Sequence, residues 1–299
     1  MEIATEAFDL AGARGERVRG DLRRPAGRLD RVPVVLVLHG FKGFRKWGFF
    51  PWLGERIAEA GFASLVFDFS HNGTDAAGEA YPRKDLFRAA SWRTHQEDLE
   101  AVLTGLRSGS LPGASALDPG KIALLGHSLG GGLAVVRAAA DPDLRCVAAL
   151  APVNRADRFS PREKETWRAK GELPVLNTRT GEVLPLGVGF LEDAEARAAE
   201  LDAAAAAARL SCPLLVVHGE EDTSVPPAEG RSLVESAIAA GRAARWSPLA
   251  GTQHTFDAVH PFAGPTPALL RAWAEVRAFL ETYLVRFDPA ETRAARGWR

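Results

Sequence analysis

One short motif in the chain has the composition of a serine nucleophile in a tight turn. Residues 126–130 read GHSLG, directly after an apolar run that predicts a strand and directly before a helical pattern. The two glycines permit the sharp turn that exposes a serine hydroxyl at the end of a strand. Free N–H groups at the start of the following helix favour developing negative charge. We therefore predict that Ser128 is a nucleophile.

A serine hydroxyl needs a base to remove its proton and an acid to orient that base. When the nucleophilic serine lies in a strand-turn-helix of this type, the acid follows it in the chain and the histidine follows the acid. Asp222 comes just after a buried-strand pattern and is the predicted acid, with Glu220 and Glu221 interpreted as solvated neighbours. His254 follows the next strand-like run and is the predicted base, and His260 is its rival.

Hydrolysis through such a serine also requires two backbone donors for the negative oxygen that forms on the substrate. The N–H of Leu129, next to the nucleophile, is one expected donor. The other is expected in the glycine-rich turn HGFKG at residues 39–43, where the Phe41 N–H is the predicted donor. The sequence therefore predicts an oxyanion hole made by Phe41 and Leu129.

The elements that must position these residues alternate along the chain. Five nearly continuous apolar runs predict parallel strands buried on both faces, at residues 32–40, 63–70, 121–128, 146–153 and 213–220. Helical patterns lie between or after them, at residues 51–60, 91–107, 129–140, 228–240 and 267–284. This alternation predicts a doubly wound α/β sheet, and the first thirty residues predict a leading antiparallel hairpin.

The segment 154–209 interrupts the alternation and predicts a lid over the serine. It contains a predicted hairpin that turns near Thr180 and Gly181, followed by a strong helix-forming stretch at residues 192–210. An insertion of this length between core strands is usually functional. Four aromatic residues of the lid and neighbouring loops are predicted to line a compact substrate site: Trp167, Phe190, Phe44 and Phe256. Phe41 and Trp47, in loops at the same face, are further candidates for its aromatic walls.

Composition narrows the classes of function. The net charge of −1, from 37 basic and 38 acidic residues, makes nucleic acid or an anionic membrane an unexpected partner. The N-terminus does not have the pattern of a secretory signal, and we expect a cytoplasmic protein with Cys146 and Cys212 as buried, reduced thiols. The sequence has no metal-ligand spacing, phosphate loop or dinucleotide fingerprint, so no metal or other cofactor is expected.

Five motifs together resemble the α/β-hydrolase superfamily. They are HGFKG at 39–43, FDFSHNG at 67–73, GHSLGG at 126–131, HGEEDTSVP at 218–226 and GTQHTF at 251–256. The chain is most similar to the branch of dienelactone-hydrolase-like proteins, prolyl-oligopeptidase-like hydrolases and cinnamoyl (feruloyl) esterases. The resemblance implies one α/β-hydrolase domain over residues 1–299, with a mostly parallel sheet, helices on both faces and a lid after the sixth strand.

The resemblance also implies an enzyme that cleaves small-molecule carboxylic esters through an acyl-enzyme. Dienelactone hydrolases proper use a cysteine at the position of Ser128, so their particular reaction is not expected of this chain. A serine peptidase or amidase is the alternative activity, and a non-catalytic binding protein of the same fold is a second alternative. A homodimer is compatible with either class.

Overall fold

The computed structural model of the chain describes residues 2–28, 30–77, 80–177 and 181–286. Within these ranges ten strands are present: β1 Ile3–Ala11, β2 Arg17–Pro25, β3 Val32–Leu38, β4 Ala63–Asp68, β5 Leu117–His127, β6 Cys146–Leu150, β7 Glu172–Asn177, β8 Glu182–Gly187, β9 Leu214–Gly219 and β10 Ala244–Leu249. The same ranges contain nine α-helices: α1 Phe50–Glu59, α2 Lys84–Arg88, α3 Trp92–Ser108, α4 Leu129–Ala140, α5 Pro161–Lys170, α6 Gly189–Ala196, α7 Ala203–Ala207, α8 Pro227–Ala239 and α9 Pro267–Leu280.

Eight of the strands form one sheet in the order β1-β2-β4-β3-β5-β6-β9-β10. Within this sheet, the neighbouring strands β4, β3, β5, β6, β9 and β10 pair in parallel. The β1 and β2 strands form an antiparallel hairpin at one edge, and β2 pairs with β4 in antiparallel orientation. The apolar runs of the central strands explain this placement, because alternate residues of β3 enter two different cores. Val34 and Leu36 face one core and Val35 and Val37 the other. The predicted mostly parallel sheet and leading hairpin are confirmed.

Helices cover both faces of the sheet, as predicted. Leu99 of α3, Leu133 of α4 and Leu233 of α8 pack in the core on one face. Leu53 of α1 and Val276 of α9 pack in the core on the other. The last helix ends four residues earlier than predicted, and a turn of π-helix continues from Glu281 to Arg286.

The segment between β6 and β9 contains α5, the β7–β8 hairpin, α6 and α7. The two strands pair in antiparallel register, as the hairpin pattern predicted, and Thr180 of the predicted turn lies outside the described residues. The prediction of one continuous helix through 192–210 is wrong. The α6 helix ends at Ala196, Leu201 is buried, and the Asp202 side chain accepts a hydrogen bond from Ala205 N–H at 2.8 Å, which starts a new helix.

Cys146 and Cys212 are both buried and unbonded to each other, as predicted. Burial raises the pKa of the Cys212 thiol to about 12, so it is protonated at neutral pH. In the described residues no helix combines the length and apolar character needed to cross a membrane.

Candidate active site

Ser128 occupies a strained turn between the end of β5 and the start of α4. Its backbone has φ 57° and ψ −119°, a conformation that costs energy in any residue with a side chain and that persists mainly at functional sites. The flanking glycines are required sterically. A Cβ on Gly126 would lie 2.1 Å from the Gly130 carbonyl oxygen, and a Cβ on Gly130 would lie 2.5 Å from the carbonyl oxygens of Leu38 and His39. The turn therefore depends on all three residues of the G-x-S-x-G pattern.

His254 and Asp222 are joined by a direct hydrogen bond. The Nδ1 atom of His254 lies 2.7 Å from Oδ2 of Asp222, so the neutral ring carries its proton on Nδ1 and leaves Nε2 as the basic atom. The other carboxylate oxygen of Asp222 accepts hydrogen bonds from the Ser224 and Val225 N–H groups at 2.8 and 2.9 Å. The pair has the geometry of an oriented base.

A second histidine, His218 at the end of β9, also touches the buried carboxylate. Its Nε2 lies 3.2 Å from Oδ2 of Asp222 and 2.9 Å from the Val225 carbonyl oxygen, and the side chain is fully buried. Burial alone raises the pKa of Asp222, but hydrogen bonds from His218, His254 and Val225 outweigh it and hold the pKa well below its usual range. Asp222 is therefore ionised throughout the neutral range, whereas Glu220 and Glu221 are exposed.

Ser128 and His254 line the same cavity, which has a volume of about 260 Å³. The loop after β3 forms one wall through residues 40–43, and Asn177 at the end of β7 contributes from the inserted segment. His260, the rival base, lines the cavity as well, but its Nδ1 accepts the Gly48 N–H at 2.9 Å. The structure thus brings Ser128, His254 and Asp222 to one edge of the sheet, where parallel strands end.

One of the two predicted oxyanion donors lies at this cavity, and the other follows Ser128 directly in the chain. Phe41 lines it, and Leu129 is the first residue of α4, immediately after Ser128. Among the hydrogen bonds of the described residues, neither N–H donates to another group of the protein. The loop that carries Phe41 turns through a hydrogen bond from Gly43 N–H to the Gly40 carbonyl at 2.9 Å. Both donors remain available to a ligand.

Two further histidines position these loops, and the sequence analysis gave them no specific partner. His127 donates from Nε2 to the His254 carbonyl at 3.0 Å, and the two ring centroids are 4.7 Å apart. Burial, with His254 nearby, lowers the pKa of His127 to about 3, so the ring is neutral. His39 donates from Nδ1 to the Gly40 carbonyl at 2.9 Å. Their places inside GHSLG and HGFKG are the signal that could have assigned them.

The four aromatic residues predicted to line a substrate site lie elsewhere. Trp167, Phe44 and Phe256 are fully buried and Phe190 is nearly so, and none of the four is among the residues that line the Ser128 cavity. Trp167 instead donates to the Leu186 carbonyl at 2.9 Å inside the inserted segment. The aromatic walls are Phe41 and Trp47, which the sequence analysis included among the candidates, and Phe50, which it missed.

A mostly parallel eight-stranded sheet and a serine elbow at its carboxyl edge define an α/β-hydrolase. Residues 4–205, more than half of the chain, match the family described as PET hydrolase-like, and the chain belongs to that family. The fold and the family are those of hydrolases.

Individual proteins resemble the chain in sequence or in fold. The chain is 29% identical to a monoacylglycerol lipase of Mycolicibacterium smegmatis over 253 residues, which cover 76% of this chain and 82% of the lipase. It is 26% identical to an uncharacterised 31.7 kDa protein of Escherichia coli, encoded in the traX-finO intergenic region, over 73% of this chain and 82% of that protein. Est1E of Butyrivibrio proteoclasticus with bound ferulic acid has the same fold, with a TM-score of 0.69 and 18% identity over 92% of this chain and 98% of Est1E.

Proposed function

We propose that the protein is a serine hydrolase that cleaves small or aromatic carboxylic esters through an acyl-enzyme. The observation that carries the proposal is the strained Ser128 in one cavity with a His254 that is hydrogen-bonded to buried Asp222. This arrangement is suited to acyl transfer, because it combines a serine, an oriented base and two free backbone donors at one site. The likeness to a monoacylglycerol lipase supports an ester as the substrate.

The reaction has two parallel halves. Ser128 Oγ attacks the ester carbonyl while His254 Nε2 takes the hydroxyl proton, and the new negative oxygen is held by the N–H groups of Phe41 and Leu129. His254 then gives the proton to the leaving alcohol. Water repeats the sequence on the acyl group and regenerates Ser128. Asp222 keeps its charge throughout and stabilises the protonated His254.

The segment 154–209 acts in this proposal as a lid that closes one side of the cavity. Asn177 of this segment lines the cavity, and Phe190 packs against Phe41 with ring centroids 6.0 Å apart. These contacts connect the lid to the loop that supplies an oxyanion donor. The whole chain then serves as one catalytic domain with a lid.

The test is removal of the Ser128 hydroxyl. Ser128→Ala should lower kcat for 4-nitrophenyl acetate on the order of 10⁴-fold or more, because the nucleophile is gone while the fold is retained. A fluorophosphonate probe should label the unchanged protein once per chain and should fail to label the variant, as read by intact mass.

Ser211→Ala removes an exposed serine hydroxyl just before the amino end of β9 and serves as the matched control. Turnover of an aminoacyl 4-nitroanilide should be much slower than turnover of the ester. Near-normal ester hydrolysis by Ser128→Ala would overturn the proposal, and faster cleavage of the anilide would replace the esterase with a peptidase.

A further inference from the structure

One lysine side chain lies in the wall of the cavity around Ser128. Among the described residues that line it, and leaving the histidines aside, Lys42 is the only one with an ionisable group. Its neighbours on the wall are aromatic residues, glycines, Thr255 and Asn177. A single ammonium group in such a wall can select a ligand that carries a negative charge.

The backbone at Lys42 is strained. The hydrogen bond from Gly43 N–H to the Gly40 carbonyl makes Lys42 the third residue of a four-residue turn, and its φ is 57°. Glycine or asparagine usually fills such a position, because other side chains crowd the backbone there. The turn would form more easily with glycine, so the shape of the loop does not explain a lysine at this position.

The Lys42 side chain reaches across the cavity wall to the inserted segment. Its Nζ donates to the Leu176 carbonyl at 3.1 Å, next to Asn177. An ammonium has three N–H donors, and this bond uses one of them. A neutral side chain could make the same bond, so the bond alone does not account for the charge.

The charge of Lys42 has no counter-ion in the part of the chain that the structure describes. No carboxylate there lies within ion-pair distance of its Nζ, and Glu182, opposite Asn177 in the hairpin, pairs with Lys84 at 2.9 Å. Burial lowers the pKa of Lys42 from its ordinary value. A half-buried ammonium that has no carboxylate partner is available to a carboxylate of a ligand.

We propose that Lys42 binds a carboxylate of the substrate, so that the preferred substrates are anionic esters. The free N–H donors of the ammonium form charge-assisted hydrogen bonds to that carboxylate at the cavity wall while Ser128 attacks the ester carbonyl. This inference rests on the proposed esterase function and names its substrate class.

Matched pairs of esters test the inference. On the alcohol side, 4-acetoxybenzoate is compared with its uncharged counterpart 4-acetoxybenzamide; on the acyl side, monomethyl adipate is compared with methyl adipamate. Each kcat/KM is divided by the rate of hydroxide-catalysed hydrolysis, which removes differences in intrinsic reactivity. The carboxylate member of at least one pair should be preferred by about tenfold or more, the range of a hydrogen bond between charged groups. The pair that shows the preference tells which side of the ester faces Lys42.

Lys42→Gln removes the charge but keeps a donor for the Leu176 carbonyl, and it should bring the preference ratio close to one. Lys42→Arg should retain a preference, because the positive charge remains. Lys46→Gln makes the same charge change four residues along the chain, outside the cavity wall, and should leave the ratio as it is. Because the readout is a ratio, a general loss of activity in a variant does not move it.

The inference and the proposed function fail in different ways. Equal turnover of charged and neutral esters by the unchanged protein overturns the role of Lys42 and leaves the esterase intact. A preference that survives in Lys42→Gln overturns it as well. If no ester is hydrolysed and the fluorophosphonate does not label Ser128, the esterase proposal is overturned, and the anionic substrate class with it.

Discussion

Asp222 makes four polar contacts through one carboxylate, two with its own loop and two with histidines. Oδ1 accepts two N–H groups of its own loop, and Oδ2 faces His254 and His218. The loop contacts fix the carboxylate, and the histidine from β9 crowds the same oxygen as the proposed base. A substitution of Asp222 therefore tests the role of the acid while Ser128 is left unchanged.

We predict that Asp222→Asn lowers kcat on the order of 10⁴-fold while the protein stays folded. The amide cannot stabilise a protonated His254, and it favours the wrong ring tautomer. Ester turnover and the far-UV circular dichroism spectrum are the measurements. Glu221→Gln, at the exposed neighbouring carboxylate, is the control. A crippled Glu221→Gln together with a mild Asp222→Asn would mean that the acid is misassigned.

At the scale of residues, sequence reasoning was strongest where chemistry requires a residue type at a fixed place. Ser128 between two glycines is such a case, because the turn excludes any Cβ at either glycine. The aromatic walls are the opposite case. Phe44 and Trp47 are three positions apart in one loop, yet only Trp47 lines the cavity. Which aromatic ring faces a ligand depends on tertiary packing, and local sequence does not encode that.

At the scale of elements, strand and helix patterns were predictable because burial on both faces leaves a continuous apolar run. The observed α4 has the bounds that the sequence predicted, Leu129–Ala140. Alanine-rich residues 192–210 were misjudged because helix propensity is high throughout the stretch. A buried Leu201 and a capping Asp202 interrupt the helix there, so tertiary contacts override the local preference.

Asp98 joins three elements through one buried carboxylate. From α3, its Oδ1 accepts the Ala13 N–H at 2.7 Å, in the turn between β1 and β2, and its Oδ2 accepts the Ser70 N–H at 2.8 Å, after β4. Burial raises the pKa of Asp98 to about 6, although the hydrogen bonds from Ala13 and Ser70 oppose the rise. The folded protein therefore binds this proton more tightly than the unfolded chain does.

The sign of the resulting pH dependence follows from linkage. The contribution of Asp98 to the free energy of unfolding is fully present below about pH 4, the ordinary carboxyl pKa, and is lost as the pH rises through about 6. The loss amounts to about 3 kcal/mol at most. The measurement is urea unfolding of the unchanged protein and of Asp98→Asn from pH 4 to 7. The free energy of unfolding of the unchanged protein should fall relative to that of Asp98→Asn as the pH rises.

Asp143→Asn, at an exposed carboxylate, controls for the general effect of removing a negative charge and should not reproduce this slope. A stability difference between the unchanged protein and Asp98→Asn that is independent of pH would contradict the raised pKa.

At the scale of the whole molecule, the site exists because loops from β3, β5, β9 and β10 meet at one edge of the sheet. Parallel strands place their carboxyl ends together, so residues as distant in sequence as Phe41 and His254 line one cavity. The order of the motifs in the chain was enough to predict this meeting. It could not predict the shape of the cavity, because residues 154–209 contribute a wall through side chains whose positions depend on contacts such as that of Lys42 with Leu176.

The size of that cavity sets the expected range of substrates. Its volume of about 260 Å³ lies just below the range of about 300–1,000 Å³ typical of sites for drug-sized ligands. Phe41, Trp47 and Phe50 supply aromatic walls that suit a compact or aromatic group. We therefore predict that kcat/KM for 4-nitrophenyl esters is highest at acetate to butyrate, falls with longer acyl chains, and is substantial for compact aromatic esters. The measurement is one series of esters from two to sixteen acyl carbons.

A change in the wall tests whether the cavity causes this profile. Trp47→Ala removes a large side chain from the wall and should move the optimum towards longer acyl chains, because the space it leaves admits more methylene groups. Trp52→Ala removes the same side chain from α1, outside the cavity lining, and should leave the optimum where it is. A steady rise in kcat/KM out to the palmitoyl ester in the unchanged protein would indicate an open groove rather than a closed cavity, and the lid over Ser128 would then have to be abandoned.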